Sequence, residues 1–321
     1  HKNYNNRNMK NIYKNSLKNL NKAKKVLEKN NIIGVPTETV YGLAGNAYSN
    51  TSVKKIYRLK KRPKKNPLII HYYNLKRLKE DVHTNESFLK LYKKFSPGPL
   101  TYVLKKKKKS KISSLANANL KTVAVRFPKN LIIRKLLRII KFPLAIPSAN
   151  ISSGISPVSS MDVFDEFGNK IKFIIDGGKT KIGLESTVVN LCGKTQLLRP
   201  GVISKNQVDK VLKKKISIFK KSNNLISPGL LKRHYSPGIP IKLNCKKSDN
   251  KAAFIVFGKK YKKGRNIFNL SIGGNMEEAG RNLYKTLRKI KNLGYKKINV
   301  VKIPNSKIGV AINDRLKKAA Y

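Results

Sequence analysis

Apolar and polar positions along the chain predict strands and helices that follow one another. Leu17, Leu20, Ala23 and Leu27 recur at helical spacing, and the apolar run 32–35 that follows ends at a proline, as a short buried strand does. Further apolar runs of strand length lie at 68–70, 123–127, 144–146, 173–175, 187–191 and 196–198, and helical patterns lie at 53–57, 88–95, 131–140 and 161–167. This interleaving predicts an α/β domain over residues 17–221.

The pattern changes after residue 221. Residues 222–240 contain three prolines and two Ser-Pro-Gly steps, which predicts an extended linker. Beyond it, a strand at 254–257, a helix at 276–290, a strand at 298–303 and a helix at 308–318 predict a small α/β domain over residues 241–321. Residues 1–16 are mostly polar, and we expect them to be frayed or disordered.

The charge of the chain is extreme and diffuse. Lysine and arginine number 72 against 15 acidic residues, a formal charge of +57, and such a field attracts nucleic acid and other polyanions without specificity. The lysines accompany abundant Asn and Ile throughout, so genomic compositional bias and a selected RNA-binding surface both remain open. Two distant cysteines and four histidines argue against a disulfide framework and a His-rich metal centre. With no apolar run long enough to span a bilayer, we expect a cytoplasmic protein that does not contact membranes.

Small hydroxyl and amide residues gather where the predicted strands begin or end. The segments are PTETVYG (36–42), PSAN (147–150), DGG (176–178) and EST (185–187). Carboxyl ends of strands line the ligand crevice of open α/β sheets, where short side chains let backbone N–H groups approach an anion. Cations occur in the same neighbourhoods, namely Lys60, Arg62, Arg126 and Arg199. Together these residues predict a pocket for a small anionic ligand.

Each of these residues also has a structural explanation when it is taken alone. Thr39, Ser148 and Ser156 are typical turn or cap residues. Arg62 and Arg126 could be two surface charges among 72. His71 could be a core histidine satisfied by one hydrogen bond. Only the order and spacing of the motifs together favour function.

That ordered set of motifs resembles the YrdC-like threonylcarbamoyl-AMP synthases. The resemblance covers about residues 17–204 and extends, through RHYSPG (233–238) and GVAINDRLKKAA (309–320), to the two-domain form of the enzyme. The other shared segments are GVPTETVYGLAGNAYS, YRLKKRPKKNPLIIHY, SPGPLTYVL, VAVRFP, PSANISSG, IIDGG, GLESTVVNL and LLRPG. The resemblance implies a twisted, open, mixed sheet with helices, followed by a small Rossmann-like domain.

The resemblance also implies an activity. L-threonine and bicarbonate would form a carbamate that attacks the α-phosphate of ATP and expels pyrophosphate. The adenylate would pass to a threonylcarbamoyl transferase complex that modifies tRNA. Mg²⁺ would accompany ATP, held mainly by phosphates, and no side-chain metal site is implied.

Site residues carry over from the matching motifs. Lys60 and Arg62 are implied as the catalytic cations, and Tyr235 as a linker residue that closes over the nucleotide. Threonine would be held by Thr39, His71, Arg126, Ser186 and the main chain of Ile146. The nucleotide would be held by Arg62, Asn66, Thr122, Ser148, Ser156 and Arg199, with Asn150 and His234 as further candidates.

Two alternatives remain open. One is a non-catalytic module of the same fold that binds double-stranded RNA or tRNA, which the charge favours and the intact motifs disfavour. The other is a carbamoyl transferase of hydrogenase maturation, which would need zinc-binding and acylphosphatase-like segments that the sequence does not contain.

Overall fold

The computed structural model describes residues 10–219, 234–247, 249 and 251–320. Most of its helices begin at a residue whose side chain accepts a hydrogen bond from the first turn. The helices are α1 (Leu17–Glu28), α2 (Asn50–Lys60), α3 (Leu75–Asp81), α4 (Glu86–Phe95), α5 (Leu131–Ile139), α6 (Ser160–Phe167), α7 (Lys205–Leu212), α8 (Met276–Asn292) and α9 (Gly309–Ala319). Ser49, for example, caps α2 through Ser52 N at 3.2 Å, and the helix ends at Lys61 in the left-handed region (φ 49°).

Strands of the first 218 residues form one mixed sheet. They are β1 (Ile12–Lys14), β2 (Ile33–Val35), β3 (Gly42–Asn46), β4 (Ile69–His71), β5 (Val82–His83), β6 (Leu100–Lys106), β7 (Thr122–Arg126), β8 (Leu144–Ala145), β9 (Ile174–Asp176), β10 (Thr187–Asn190), β11 (Gln196–Arg199) and β12 (Ser217–Ile218). Their order is β1-β9-β2-β3-β8-β4-β7-β6-β10-β11-β12, with β5 paired to β6. The predicted twisted α/β arrangement with a mixed sheet is confirmed.

This sheet order brings the polar strand ends together. β4 and β7 run parallel, with His71 opposite Arg126 at their shared carboxyl end. β8 runs antiparallel to β4, with Leu144 opposite His71, and the chain passes Ile69 before it reaches Ser148. β6 and β10 are also parallel, and β10 begins directly after Ser186. His71, Arg126 and Ser186, which are far apart in sequence, therefore meet at one edge of the sheet.

A second sheet follows, built from β13 (Ile241–Lys242), β14 (Ala253–Val256), β15 (Ile267–Asn269) and β16 (Ile298–Val300). Its order is β13-β16-β14-β15 and all of its pairs are parallel, as expected of a Rossmann-like unit. Residues 222–233 of the predicted linker lie outside the described residues. The division into domains at 17–221, 222–240 and 241–321 stays a prediction.

The two sheets are joined by close packing rather than by a loose contact. Gly183 has φ +77°, and a Cβ placed on it would lie 2.7 Å from Cα of Arg281 in α8. The core around α8 and α9 also includes Val40, Leu184 and Tyr235. One apolar cluster therefore spans both sheets.

The prediction of a frayed segment at 1–16 is wrong for its last residues. Ile12–Lys14 form β1, which pairs in parallel with β9, and the ring of Tyr13 stacks on Phe173 with centroids 4.1 Å apart. The sequence does not reveal this strand, because polar residues flank it and its pairing partner lies about 160 residues away. Residues 1–9 lie outside the described residues.

Among the residues described, no helix is both long and apolar enough to cross a membrane.

Candidate functional site

The polar strand ends surround a cavity of about 50 Å³. Thr39, Arg62, Arg126 and Ser148, which the motifs assign to one site, all line it. The full lining is Thr39, Val40, Arg62, Ile69, His71, Arg126, Ile146, Pro147, Ser148, Glu185, Ser186, Arg199 and His234. A cavity with three buried arginines and several hydroxyls is suited to an anionic ligand.

One wall is organised by Arg126, at the end of β7. Its Nη2 contacts Oε1 of Glu38 at 2.6 Å, and its Nη1 donates to Oγ1 of Thr39 at 2.9 Å. The second oxygen of Glu38 accepts from the backbone N–H groups of Lys129 (3.0 Å) and Asn130 (3.2 Å). Burial would raise the pKa of Glu38, but Arg126 and these hydrogen bonds lower it. Glu38 is therefore a carboxylate that holds Arg126 in place.

His71 lies beside Arg126 at the end of β4. Its Nδ1 is 3.2 Å from the carbonyl oxygen of Ile69, so the neutral ring donates there and keeps the lone pair of Nε2. Burial, with Arg126 as a second cause, lowers the pKa of His71 well below its ordinary value. The ring is therefore neutral near pH 7.

A second wall is built at the carboxyl end of α2. The buried Lys60 donates to the carbonyl oxygens of Ser148 and Asn150, the latter at 2.5 Å. Burial, and then the neighbouring Arg62, lower the pKa of Lys60 well below its ordinary value. Lys60 thus fixes the PSAN segment at the cavity.

Arg62 follows the left-handed residue Lys61 and turns back toward the sheet. Its Nε donates to the carbonyl oxygen of Asn66 at 2.9 Å, and its Nη2 donates to Oδ1 of Asn66 (2.7 Å) and to the carbonyl oxygen of Pro67 (2.8 Å). Burial lowers the pKa of Arg62 to about 10, so it remains charged. Asn66 acts on the cavity through Arg62.

A third wall is formed by Arg199 and Ser186. Arg199 donates from Nε to the carbonyl oxygen of Ser186 at 3.0 Å and from Nη2 to its Oγ at 3.1 Å. The hydroxyl of Ser186 is also 2.7 Å from Oγ1 of Thr101 in β6. Arg199 is 4% exposed, so it is held at the cavity by tertiary contacts and is not a surface charge.

Glu185, which the sequence reasoning did not assign, is the centre of a buried network. Its carboxylate accepts from Ser156, from the hydroxyl of Tyr284 at 2.8 Å and from Nε of Arg315 at 2.8 Å. Burial would raise the pKa of Glu185, but Arg315 and then Arg199 lower it to about 2. Tyr284 and Arg315 come from α8 and α9, so the second sheet contributes to the site. The sequence feature that could have identified Glu185 is its position as the acidic residue of the GLEST motif (183–187).

His234 and Tyr235 enter the site from the end of the linker. Their rings lie 3.9 Å apart, and the backbone N–H of His234 donates to the carbonyl oxygen of Lys318 at 3.0 Å. Tyr235 is fully buried with φ +63°, and its ring lies 5.0 Å from the guanidinium of Arg315. Within the described part of the chain, the Tyr235 hydroxyl and His234 Nδ1 have no hydrogen-bond partner. These are two buried polar atoms available to a ligand.

The predicted site residues thus fall into three groups. Those that line the cavity are Thr39, Arg62, His71, Arg126, Ile146, Ser148, Ser186, Arg199 and His234. Those that contact a lining residue are Lys60, Asn66, Ser156 and Tyr235, and Asn150 is connected to the lining through Lys60. Thr122 lies apart, at the opposite end of β7 from Arg126, where its carbonyl oxygen accepts from Asn117 at 3.1 Å.

The residues at the cavity fit a nucleotide phosphate better than a metal ion. In the described ranges, no group of three His, Cys, Asp or Glu side chains is placed to hold a metal. The two acids at the cavity, Glu38 and Glu185, are each paired with an arginine. Oxygen ligands for Mg²⁺ would therefore come mainly from phosphates and water.

Comparisons with known proteins identify the family of the chain. Residues 25–201 match the family model described as "Telomere recombination", and residues 203–321 match "Threonylcarbamoyl-AMP synthase, C-terminal domain". The threonylcarbamoyl-AMP synthase of Pyrococcus abyssi is 37% identical over 308 residues, covering 90% of each chain. That of Bacillus subtilis is 35% identical over 323 residues, covering 93% of this chain and 92% of its own.

A solved structure is similar over almost the whole length. The crystal structure of P. abyssi Sua5 complexed with L-threonine superposes with a TM-score of 0.88 at 34% identity, covering 97% of each chain. The similarity therefore includes both sheets and is not confined to the first domain. This chain belongs to the threonylcarbamoyl-AMP synthase family, a family of nucleotidyltransferase-type enzymes.

Proposed function

We propose that the protein is an L-threonylcarbamoyladenylate synthase that uses L-threonine, bicarbonate and ATP and releases pyrophosphate. The observation that carries this proposal is the convergence of two differently built walls on one cavity. Arg126, Thr39 and neutral His71 suit an amino acid, with the guanidinium facing its carboxylate. Lys60, Arg62 and Arg199 suit phosphates. The similarity to a relative crystallised with L-threonine supports the first assignment.

The reaction balances without a covalent enzyme intermediate. The threonine amine and bicarbonate form a carbamate with loss of water. A carbamate oxygen then attacks the α-phosphorus, the new P–O bond forms as the bond to the bridging oxygen breaks, and pyrophosphate leaves. Charge grows on the phosphate oxygens, where the fixed cations stabilise it. Positioning of the two substrates supplies much of the remaining acceleration.

Mg²⁺ is expected to enter with ATP. Because Glu38 and Glu185 are already paired, the phosphates and water would hold the ion. When bound, Mg²⁺ would neutralise part of the negative charge of the departing pyrophosphate.

We further propose that His234 and Tyr235 cover the nucleotide. The cavity of about 50 Å³ is large enough for only one or two water molecules, whereas small-molecule sites measure about 300–1,000 Å³. We therefore propose that this segment moves when ATP enters. Its return would exclude water, which protects both the carbamate and the adenylate from hydrolysis.

The proposed function is tested by incubating the protein with ATP, Mg²⁺, L-threonine and labelled bicarbonate. We expect pyrophosphate release together with label in a nucleotide product, both dependent on threonine. Controls omit each substrate in turn. Pyrophosphate without labelled nucleotide, or at the same rate without threonine, would refute the proposal.

Serine should be a poorer substrate than threonine. Val40, Ile69 and Ile146 form an apolar part of the cavity wall, where the threonine methyl is expected to lie. Loss of that methyl removes about 1 kcal/mol, or roughly fivefold in kcat/KM. Competition between the two amino acids under the same conditions measures the ratio, and equal rates would contradict a methyl pocket.

Replacing Arg62 with alanine should lower pyrophosphate release at least about tenfold, because one of the phosphate-facing cations is lost. Arg58→Ala, one turn earlier on the exposed side of α2, is the matched control and should retain near-normal turnover. Thermal melts of both variants establish folding. Normal turnover in Arg62→Ala would remove this residue from the site.

The remaining assignments are proposed on the same basis. Thr122 is retained as a nucleotide contact only as a prediction, since it lies outside the cavity lining. We propose that the adenylate is handed to a tRNA-modifying threonylcarbamoyl transferase complex in the cytoplasm. The RNA-binding alternative rests on the +57 charge, which is spread along the chain. A salt titration comparing tRNA with another polyanion decides whether any tRNA contact is specific.

A further inference from the structure

Arg315 carries a positive charge from the second sheet into the wall of the site. Its side chain is fully buried, and its Nε lies 2.8 Å from Oε2 of Glu185. Its Nη1 donates to the carbonyl oxygen of Pro200 at 2.9 Å and to Oδ2 of Asp314 at 2.7 Å, and Asp314 is itself also paired with Lys318. The guanidinium lies over the ring of Tyr235. Arg315 thus contacts Glu185, which precedes Ser186, Pro200, which follows Arg199, and Tyr235 at the end of the linker.

Glu185 poses an electrostatic problem for a nucleotide site. It lines the cavity and is 6% exposed, so its negative charge would repel the phosphates of ATP. It also accepts the hydroxyl hydrogen of Ser156, one of the proposed nucleotide contacts. Arg199 is close enough to Glu185 to lower its pKa. An unpaired Glu185 would therefore attract Arg199, whereas Ser156 already donates to Glu185 with Arg315 in place.

We propose that Arg315 is a positioning residue of the nucleotide half of the site, which neutralises Glu185 and so leaves Arg199 available to ATP. The proposal rests on the proposed function and deepens it. It also gives the second sheet a role, because the site is electrostatically incomplete without α9.

A purely structural role for Arg315 makes a different prediction, and the chain contains a matched control. Arg288 in α8 also joins the two sheets through ion pairs, with Asp162 at 3.4 Å and Glu166 at 3.8 Å, but it does not line the cavity. If Arg315 only held the sheets together, Arg315→Ala and Arg288→Ala would behave alike.

The test compares KM for ATP with KM for L-threonine in both variants. Arg315→Ala should raise KM for ATP at least about tenfold and change KM for threonine less than about threefold, because Arg199, which an unpaired Glu185 would attract, belongs to the nucleotide half. Arg288→Ala should leave both constants within about threefold of the unmodified protein. Equilibrium dialysis with Mg-ATP should show the same loss of affinity in Arg315→Ala without turnover.

A second substitution isolates the charge. In the Arg315→Ala background, Glu185→Gln removes the unpaired carboxylate and should recover at least about threefold of the lost ATP affinity. Arg315→Lys keeps the positive charge but lacks the several N–H donors of the guanidinium. Its affinity for ATP should lie between that of the unmodified protein and that of Arg315→Ala. If Arg315→Ala does not fold, as judged by its thermal melt, these two proteins decide the question.

The results that would contradict the role of Arg315 differ from those that would contradict the proposed function. Unchanged ATP affinity in Arg315→Ala, equal changes in both KM values, or no recovery with Glu185→Gln would each overturn the inference. If the unmodified protein forms no labelled nucleotide, the proposed function fails instead. The dialysis series still decides the role of Arg315 in that case.

Discussion

Arg126→Ala is expected to lower kcat/KM for L-threonine by at least about 100-fold and to destabilise the protein by about 3–5 kcal/mol. The two effects have different causes. Activity should fall because the guanidinium proposed to face the substrate carboxylate is lost. Stability falls because Glu38 is left as a buried carboxylate without the Nη2 partner that now lies 2.6 Å away. Steady-state kinetics and chemical denaturation measure them separately.

A double variant separates these causes. Adding Glu38→Gln to Arg126→Ala removes the unpaired charge and should restore most of the lost stability, while threonine use stays impaired. Arg134→Ala is the control, since this half-buried arginine of α5 donates only to backbone carbonyls at 3.4 Å. Recovery of threonine use in the double variant would show that Arg126 acts through folding alone.

Lys60→Met is expected to reduce pyrophosphate release by about two orders of magnitude and to abolish a pH dependence of ATP binding. In the free protein, burial and Arg62 lower the pKa of Lys60, whereas bound phosphates favour its ammonium form and raise that pKa. ATP therefore binds the protonated lysine better. Its affinity should be greatest below the pKa of the free protein and weaken as pH rises from there toward the pKa of the complex.

The measurement is the dissociation constant of Mg-ATP as a function of pH. Lys55→Met provides the control within α2, because Lys55 donates to Asn30 and Asn31 at 3.1 and 2.6 Å and does not line the cavity. It should keep both the slope and the activity. A slope that persists in Lys60→Met would assign the titration to another group.

Local patterns were sufficient for most of the elements. The apolar spacing predicted α1, α5 and the strands at β4 and β7, because these segments bury one face or a continuous run. It did not predict β3, whose sequence GLAGN has weak strand propensity. Position 42 of β3 requires glycine, because a Cβ on Gly42 would lie 2.2 Å from Cγ2 of Ile146.

The candidate site was predictable only as a set of motifs. The ordered motifs indicated the family and most of the cavity lining, because the family resemblance extends along nearly the whole chain. They did not indicate which charges pair. Glu38 with Arg126 and Glu185 with Arg315 are separated by 88 and 130 residues, and no local pattern encodes such partners.

The sequence alone determined the α/β class, the mixture of strands and helices and the chemical types of the candidate site residues. These features follow from short-range periodicity and from the order of the motifs. The tertiary structure alone decided that Arg126 is paired with Glu38, whereas Arg62 and Arg199 line the cavity with hydrogen bonds to neutral groups. It also decided that α9 supplies Arg315 to the same site. The reason is physical: ionisation and hydrogen bonding in a buried site depend on which groups share its low-dielectric volume, and only folding brings them together.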